Sequence, residues 1–308
     1  MTLFTASEIV TKLQRGESLA KAELSKVDLE GKNLDKGDFS QAYLRRANFT
    51  KTSCQEAIFS EATLILANFA QASLIGANFN EATLTNADFS GANLRNITAK
   101  SANFYGSTLD NIAANNAILE RADFREVKGK AANFSNAELK LANLSMTNLP
   151  QANFSNAHLR KTRFEGANLP GTIWREANLE AAIFIHTSLT EADLTQAHLI
   201  SANFREANLR SVGLQQAELS EAILQGATLM QVDFTKASLF DAKLERATLS
   251  QINFKGANLQ NANFENTVLA EVDFTEAEVR EAIFTDAKSL TEEQKRYLRK
   301  NGAVNIPD

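Results

Sequence analysis

Large apolar residues recur at every fifth position of this chain, and this period constrains the fold more than any other feature. In steps of five, Leu24 to Phe284 spans 53 positions, of which 29 hold Leu and 18 hold Phe. The six departures are Cys54, Ala99, Ala114, Gly129, Trp174 and Val279. Because a period of five fits neither the 3.6 residues of an α-helix nor the two of a simple strand, we predict a coil of repeated turns.

A second column of small residues accompanies these centres. Two residues before each centre, 36 of the 53 positions hold Ala, and in both columns together only Lys32 is charged. Charged residues make up 22% of the chain, so both columns are predicted to face inward. The position between the columns holds Asn 17 times and Asp 7 times, and these residues bond their own main chain in tight turns. Eight of the 13 Gly lie two residues after a centre, where a type II turn requires positive φ.

The chain resembles the pentapeptide repeat proteins, whose signature is A(D/N)LXX in tandem. Residues 77–81 (ANFNE) and 207–211 (ANLRS) are good copies, and the resemblance extends over residues 19–288. It implies an all-β fold, a right-handed quadrilateral β-helix in which four pentapeptides form each coil. At twenty residues per coil, this repeat region is expected to contain about 13 coils.

Short helices are expected to cap both ends of the solenoid, because its terminal coils would otherwise be exposed. Residues 5–8 (TASE) form a capping-box motif with Gly16 as a stop, which predicts an N-terminal helical cap within residues 1–18. A second helix is predicted to begin at 291–293 and to end at 301–302, within a C-terminal cap at 289–308.

The C-terminal cap admits two interpretations. Its apolar residues Leu290, Tyr297, Leu298 and Val304 are expected to cover the last coil. The resemblance also implies that C-terminal elements of some family members form end-to-end dimers. The protein is therefore expected to be a monomer, or a dimer through the C-terminal helix.

The Phe residues change sides once along the chain. Up to Phe89 they occupy two opposite sides of the predicted coil, and after residue 130 they occupy the other two. The change coincides with three small centres, Ala99, Ala114 and Gly129, and a β-branched residue lies two positions before each of them. Either the core is repacked between residues 95 and 130, or an odd number of pentapeptides leaves the stack there.

The composition offers little for catalysis. The chain has one Cys and three His: His158, His186 and His198, which are expected to be solvated surface residues. Cys54 and Trp174 fall on inward centres and are predicted to belong to the core. We therefore expect no enzymatic activity, no metal and no cofactor.

The charge and hydropathy pattern predicts a soluble, cytoplasmic protein. A net charge of −5 argues against direct binding to nucleic-acid phosphates. No apolar run approaches the roughly 18 residues of a membrane helix, so no membrane association is expected.

Recognition of an unidentified protein partner is the function that the sequence favours. Apolar side chains are predicted on the outer surface, and Phe240 is one of only two Phe outside the core column. The candidate protein-interaction residues are Ile183, Ile185, Ile200, Ile223 and Phe240. A contiguous apolar patch would mark an interface.

The resemblance implies an alternative, because some family members look like double-stranded DNA to DNA gyrase and protect it from quinolones. Such mimicry requires a dominant negative field. The most acidic side of the predicted coil includes Glu180, Glu218, Glu221, Asp241, Glu278 and Glu281. Its N-terminal half holds the cations Arg121, Lys140, Arg160 and Lys161, so the field of this side is mixed.

Overall fold

The protein coils with a repeat of twenty residues. The structure is a computed structural model that describes residues 4–308, and these residues form two compact units that divide between His158 and Leu159. Within each unit, residues twenty apart pair in parallel, as Glu23 pairs with Tyr43 and Asn203 with Ile223. This register confirms the predicted quadrilateral β-helix. The division into an N-terminal cap that ends at residue 18, a repeat region that ends at residue 288 and a C-terminal cap stays a prediction.

Among residues 4–308, extended strands occur only in part of the second unit. There, one side of successive coils forms a four-stranded parallel sheet in chain order. Its strands are β1 (Asn208–Arg210), β2 (Thr228–Met230), β3 (Thr248–Asn253) and β4 (Val268–Asp273). Elsewhere in the described coils the sides pair through isolated bridges, because the chain turns again after two or three residues.

Each corner is fixed by the chemistry that the sequence predicts. The residue two positions after a centre has positive φ, as Gln71 (+60°) and Gly76 (+69°) show. The residue before the centre holds the turn through its side chain: Asn68 Oδ1 accepts a hydrogen bond from the Ala70 N–H at 2.9 Å. The Asn and Asp column therefore supplies acceptors for main-chain donors that the turn would leave unpaired.

Both inward columns form the core. All 53 centres from Leu24 to Phe284 are buried, and Phe side chains of successive coils stack face to face. The Phe49 and Phe69 rings, for example, lie 4.6 Å apart at an interplanar angle of 7°. Phe on the opposite side meets these stacks edge to face, as Phe59 meets Phe69 at 5.8 Å, so the stacks interlock.

The Phe switch between residues 95 and 130 is a repacked core. The ladder keeps its twenty-residue register throughout, with pairs such as Thr98–Ile118 and Thr108–Lys128. The alternative in which pentapeptides leave the stack is therefore wrong. At the switch, the Phe89 and Phe104 rings contact each other at 5.8 Å and are tilted by 54°.

The small centres at the switch are compensated by their neighbours. Ile97, Ile112 and Val127 are buried, as larger residues of the small column. An apolar cavity of about 10 Å³ remains, barely the size of one water molecule. Its lining includes Leu94, Ile97, Phe104, Leu109, Ile112 and Phe134.

The part of the chain that the structure describes contains two short helices, α1 (Ala6–Gln14) before the first coil and α2 (Glu292–Lys300) after the last coil. Thr5 and Glu8 form the predicted capping box, and Ile9 is fully buried. Thr291 caps α2, where Gln294 completes the capping box and Leu298 is fully buried.

One residue of the C-terminal cap does not behave as predicted. Val304 remains 39% exposed instead of covering the last coil with its side chain. Its backbone contributes instead, because its N–H donates to the Ala282 carbonyl at 2.8 Å and its carbonyl accepts from Phe284 at 3.0 Å. The tail thus adds one more β-bridge, between Ile283 and Val304.

Candidate protein-interaction surface

The candidate surface lies along one corner of the second unit, here called the 180–281 corner. It comprises two adjacent ladders of residues spaced by twenty. The ladders are Glu180, Ile200, Ser220, Phe240, Gln260 and Arg280, and Ala181, Ser201, Glu221, Asp241, Asn261 and Glu281. Backbone hydrogen bonds tie successive coils at this corner; the Glu221 N–H donates to the Phe240 carbonyl at 2.8 Å. A rigid backbone therefore presents these side chains.

Two large apolar side chains project from the 180–281 corner. Ile200 is 40% exposed and Phe240 is 37% exposed, with Ser220 between them in the same ladder. With roughly 4.8 Å between paired strands, their Cα atoms are about 10 Å apart. This spacing allows one partner segment to contact both side chains.

Three carboxylates beside this corner already have partners. Glu180 forms an ion pair with Arg160 at 3.0 Å, and Glu218 lies 2.7 Å from Nδ1 of His198. Glu278 accepts a hydrogen bond from Gln260 at 2.6 Å. Of these partners, the Arg160 guanidinium carries a permanent positive charge, which offsets the charge of Glu180.

The other three predicted carboxylates form no ion pair with a residue in 4–308. Glu221 accepts a hydrogen bond from the Ser201 hydroxyl at 3.0 Å. The carboxylates of Asp241 and Glu281 make no hydrogen bond or ion pair with any residue in 4–308. Asp241 directly follows Phe240, so an uncompensated negative charge borders the exposed ring.

The remaining candidate isoleucines do not form one contiguous patch. Ile183 and Ile223 lie on the neighbouring side, where Asn203 separates them in the parallel ladder. They and Ile185 are only partly exposed. The structure therefore groups Ile200 and Phe240 with the acidic residues, and places these three isoleucines beside them as a broken stripe.

The three histidines lie beside glutamates of paired coils. His158 Nε2 lies 3.9 Å from Glu138, and His186 Nδ1 lies 3.3 Å from Glu206. Within residues 4–308, no group of three or more metal-ligating side chains converges. In the same part of the chain, no helix has both the length and the apolar character to cross a bilayer.

Cys54 replaces a Leu or Phe centre and is fully buried. Burial raises the pKa of its thiol from 9.0 to about 12. We expect no reaction with a thiol reagent such as DTNB in mildly alkaline native buffer, and one thiol per chain to react in denaturant. Between pH 9 and about 12 the thiol ionises in the unfolded state but not in the folded state, so it is expected to lower the stability progressively over this range. Rapid labelling of the native protein would contradict the buried position.

Two side-chain contacts of the second unit could not be predicted from the five-residue pattern. Glu245 Oε1 accepts a hydrogen bond from Asn263 at 3.1 Å, while its Oε2 is buried and has no partner among residues 4–308. Gln294 lies in α2 and donates to the Val272 carbonyl at 2.6 Å. Both depend on where a side chain reaches in three dimensions, which the repeat does not specify.

The repeat architecture has a direct counterpart among protein families. A family model described as pentapeptide repeats matches eight copies in this chain. The matched residues are 33–64, 64–98, 77–113, 109–145, 137–173, 175–211, 214–251 and 249–286. The chain belongs to the pentapeptide repeat family. No curated protein sequence matches it.

Several solved structures of pentapeptide repeat proteins are similar to this chain. HetL, involved in heterocyst differentiation regulation in the cyanobacterium Nostoc sp. strain PCC 7120, is 26% identical; the match covers 74% of this chain and 92% of HetL (TM-score 0.24). Rfr23 from the cyanobacterium Cyanothece 51142 is 31% identical over 35% of this chain and 63% of Rfr23 (TM-score 0.20). QnrB1, a plasmid-mediated fluoroquinolone resistance protein, is 18% identical over 66% of this chain and 96% of QnrB1 (TM-score 0.26).

Proposed function

We propose that this pentapeptide repeat protein is a non-enzymatic interaction module that binds a protein partner through the 180–281 corner. The exposed ring of Phe240 carries the proposal. Eighteen of the 20 Phe are core centres, whereas Phe240 projects from a corner beside Asp241 and two coils from Ile200.

The chemistry of the corner defines the partner. Ile200 and Phe240 would enter an apolar cleft, while Glu221 and Asp241 would meet Lys or Arg at its rim. Aromatic side chains at the centre of an interface contribute much of the binding energy, and rim charges mainly accelerate association. Binding is therefore expected to weaken as the salt concentration rises.

Phe240→Ser tests this surface. We expect the variant to retain its fold and to bind each partner captured by the wild-type protein at least about tenfold more weakly. Ile58→Ser is the matched control, because Ile58 is a similarly exposed apolar residue of the first unit. Equal affinity of wild type and Phe240→Ser for every captured partner would overturn the proposal.

A DNA-mimicking regulator of DNA gyrase or another DNA-binding protein is the second candidate. The uncompensated carboxylates of Glu221, Asp241 and Glu281 on one corner favour it. Arg160, Lys161 and Arg280 interrupt this acidic surface, which weakens the likeness to a phosphate backbone. A supercoiling assay with purified gyrase tests the first of these targets, and unchanged supercoiling with the protein in large excess would eliminate gyrase as the target.

A further inference from the structure

The coils are joined by a fixed set of backbone hydrogen bonds. On the side that ends in β4, the Phe254 N–H donates to the Asp273 carbonyl at 2.8 Å, and the Gly256 N–H donates to the Thr275 carbonyl at 2.9 Å. A third bond runs in the opposite direction, as from the Asn253 N–H to the Val232 carbonyl at 3.1 Å. On each of its sides, a coil thus offers two donors and one acceptor to the next coil.

The last coil offers the same groups at residues 272–276, but the chain leaves the stack there and forms α2. Side chains of α2 donate hydrogen bonds to some of the carbonyls that a further coil would otherwise pair. Gln294 Nε2 donates to the Val272 carbonyl at 2.6 Å, and the Tyr297 hydroxyl donates to the Ala277 carbonyl at 3.1 Å. They replace N–H groups that another coil would supply.

The backbone N–H donors on this side of the last coil receive no substitute acceptor from α2. The N–H groups of Phe274 and Glu276 find no acceptor among residues 4–308, although their equivalents in the coil below do. An unpaired strand edge of this kind is a template for an added strand.

A groove of about 470 Å³ lies between this edge and α2. Its lining residues include Val272, Asp273, Phe274, Thr275, Glu293 and Gln294. Val272 and Phe274 provide an apolar floor and retain slight exposure, 5% and 4%. The groove is therefore suited to hold side chains as well as backbone.

The rim of the groove is acidic. Asp273 and Glu293 line the groove and are exposed, and Glu276, which follows Thr275 in the chain, is exposed as well. The hydroxyl and the N–H of Thr275 donate to the Asp273 carboxylate and lower its pKa, so it is ionised at neutral pH. A cationic segment would complement this rim.

We propose that this groove binds an extended, basic peptide segment of a partner protein, which adds to the open edge as a parallel strand. Two carbonyls of alternate peptide residues accept from the Phe274 and Glu276 N–H groups. A peptide N–H displaces the Gln294 amide from the Val272 carbonyl, and a Lys or Arg side chain pairs with Asp273 or Glu293.

A second copy of the chain fits this edge less well. Two-fold pairing of the same edges would bring the Asp273 and Glu293 carboxylates of both copies together, and like charges oppose such pairing. The groove is also separate from the 180–281 corner, so the loss of one interaction leaves the other testable.

Amide-resolved hydrogen exchange of the full-length protein tests the proposal. The probes are two blocked peptides, basic Thr-Val-Lys-Val-Lys and acidic Thr-Val-Glu-Val-Glu. We expect the basic peptide at saturation to slow exchange at the Phe274 and Glu276 amides about tenfold, and the acidic peptide to leave it unchanged. Glu293→Lys should weaken binding of the basic peptide, whereas Glu221→Lys, the same charge change at the 180–281 corner, should not.

Three results would overturn this proposal. The first is that neither peptide slows exchange at these two amides. The second is equal protection by both peptides, which would show that the charge of the peptide does not determine binding. The third is protection without peptide that fades on dilution, which would show that a second copy fills the groove.

Discussion

Phe69→Ala is expected to lower the free energy of unfolding by about 3–5 kcal/mol. The Phe69 ring is fully buried between Phe49 and Phe89, at 4.6 and 5.0 Å, and meets Phe59 and Phe79 edge to face. Its removal leaves a cavity that neighbouring coils cannot close, because their separation is fixed by backbone hydrogen bonds.

Chemical denaturation followed by circular dichroism measures this loss. Phe240→Ala removes the same side chain from the surface corner and is expected to change the unfolding free energy by less than about 0.5 kcal/mol. If both substitutions had equal effects, the assignment of Phe69 to the core and of Phe240 to the surface would be wrong.

Gly129→Leu restores the common residue of the centre column, yet we expect it to destabilise the protein by about 3 kcal/mol or more. A Cβ at Gly129 would lie 2.7 Å from the carbonyl carbon and 2.8 Å from the carbonyl oxygen of Leu109. These are backbone atoms of the coil below, so the clash cannot be relieved by a side-chain rotation.

The matched control is Gly256→Asn, which alters a corner glycine instead. Gly256 has φ of +64°, and a Cβ there meets only the Lys236 Cγ at 3.6 Å. Asn already occupies the equivalent corner position at Asn86 and Asn96, with φ of +55° and +57°, so a change below about 1 kcal/mol is expected. A stabilising Gly129→Leu substitution, measured by the same denaturation, would contradict the close approach of the two coils.

The repeat made most of the fold predictable, because each position of the pentapeptide has one structural role throughout. Glycine at equivalent positions indicated positive φ for residues such as Gln71, and Asn68 accepted the turn hydrogen bond expected of its type. The capping box of Thr5 and Glu8 was predictable for the same reason, because it depends only on residues close to each other in the sequence.

The features that escaped prediction depend on distant contacts. The sequence around Gly129 left two alternatives open, because it does not show that the Leu109 backbone approaches so closely. Gln294 and Tyr297 resemble ordinary helix residues until the fold brings them to the open carbonyls of the last coil. The exposure of Phe240 was predictable from the period, whereas its grouping with uncompensated carboxylates required the structure.

The four-sided coil also limits how a gene for such a protein can change in length. Loss of one pentapeptide between Ile200 and Phe240 would turn every later residue by a quarter of the coil and move Phe240 away from the side it shares with Ile200. Loss or gain of twenty residues would shift it only along the axis and preserve the corner. Insertion or deletion of whole coils therefore keeps the side on which each surface residue lies. Insertion or deletion of a single pentapeptide rotates all later residues to the next side.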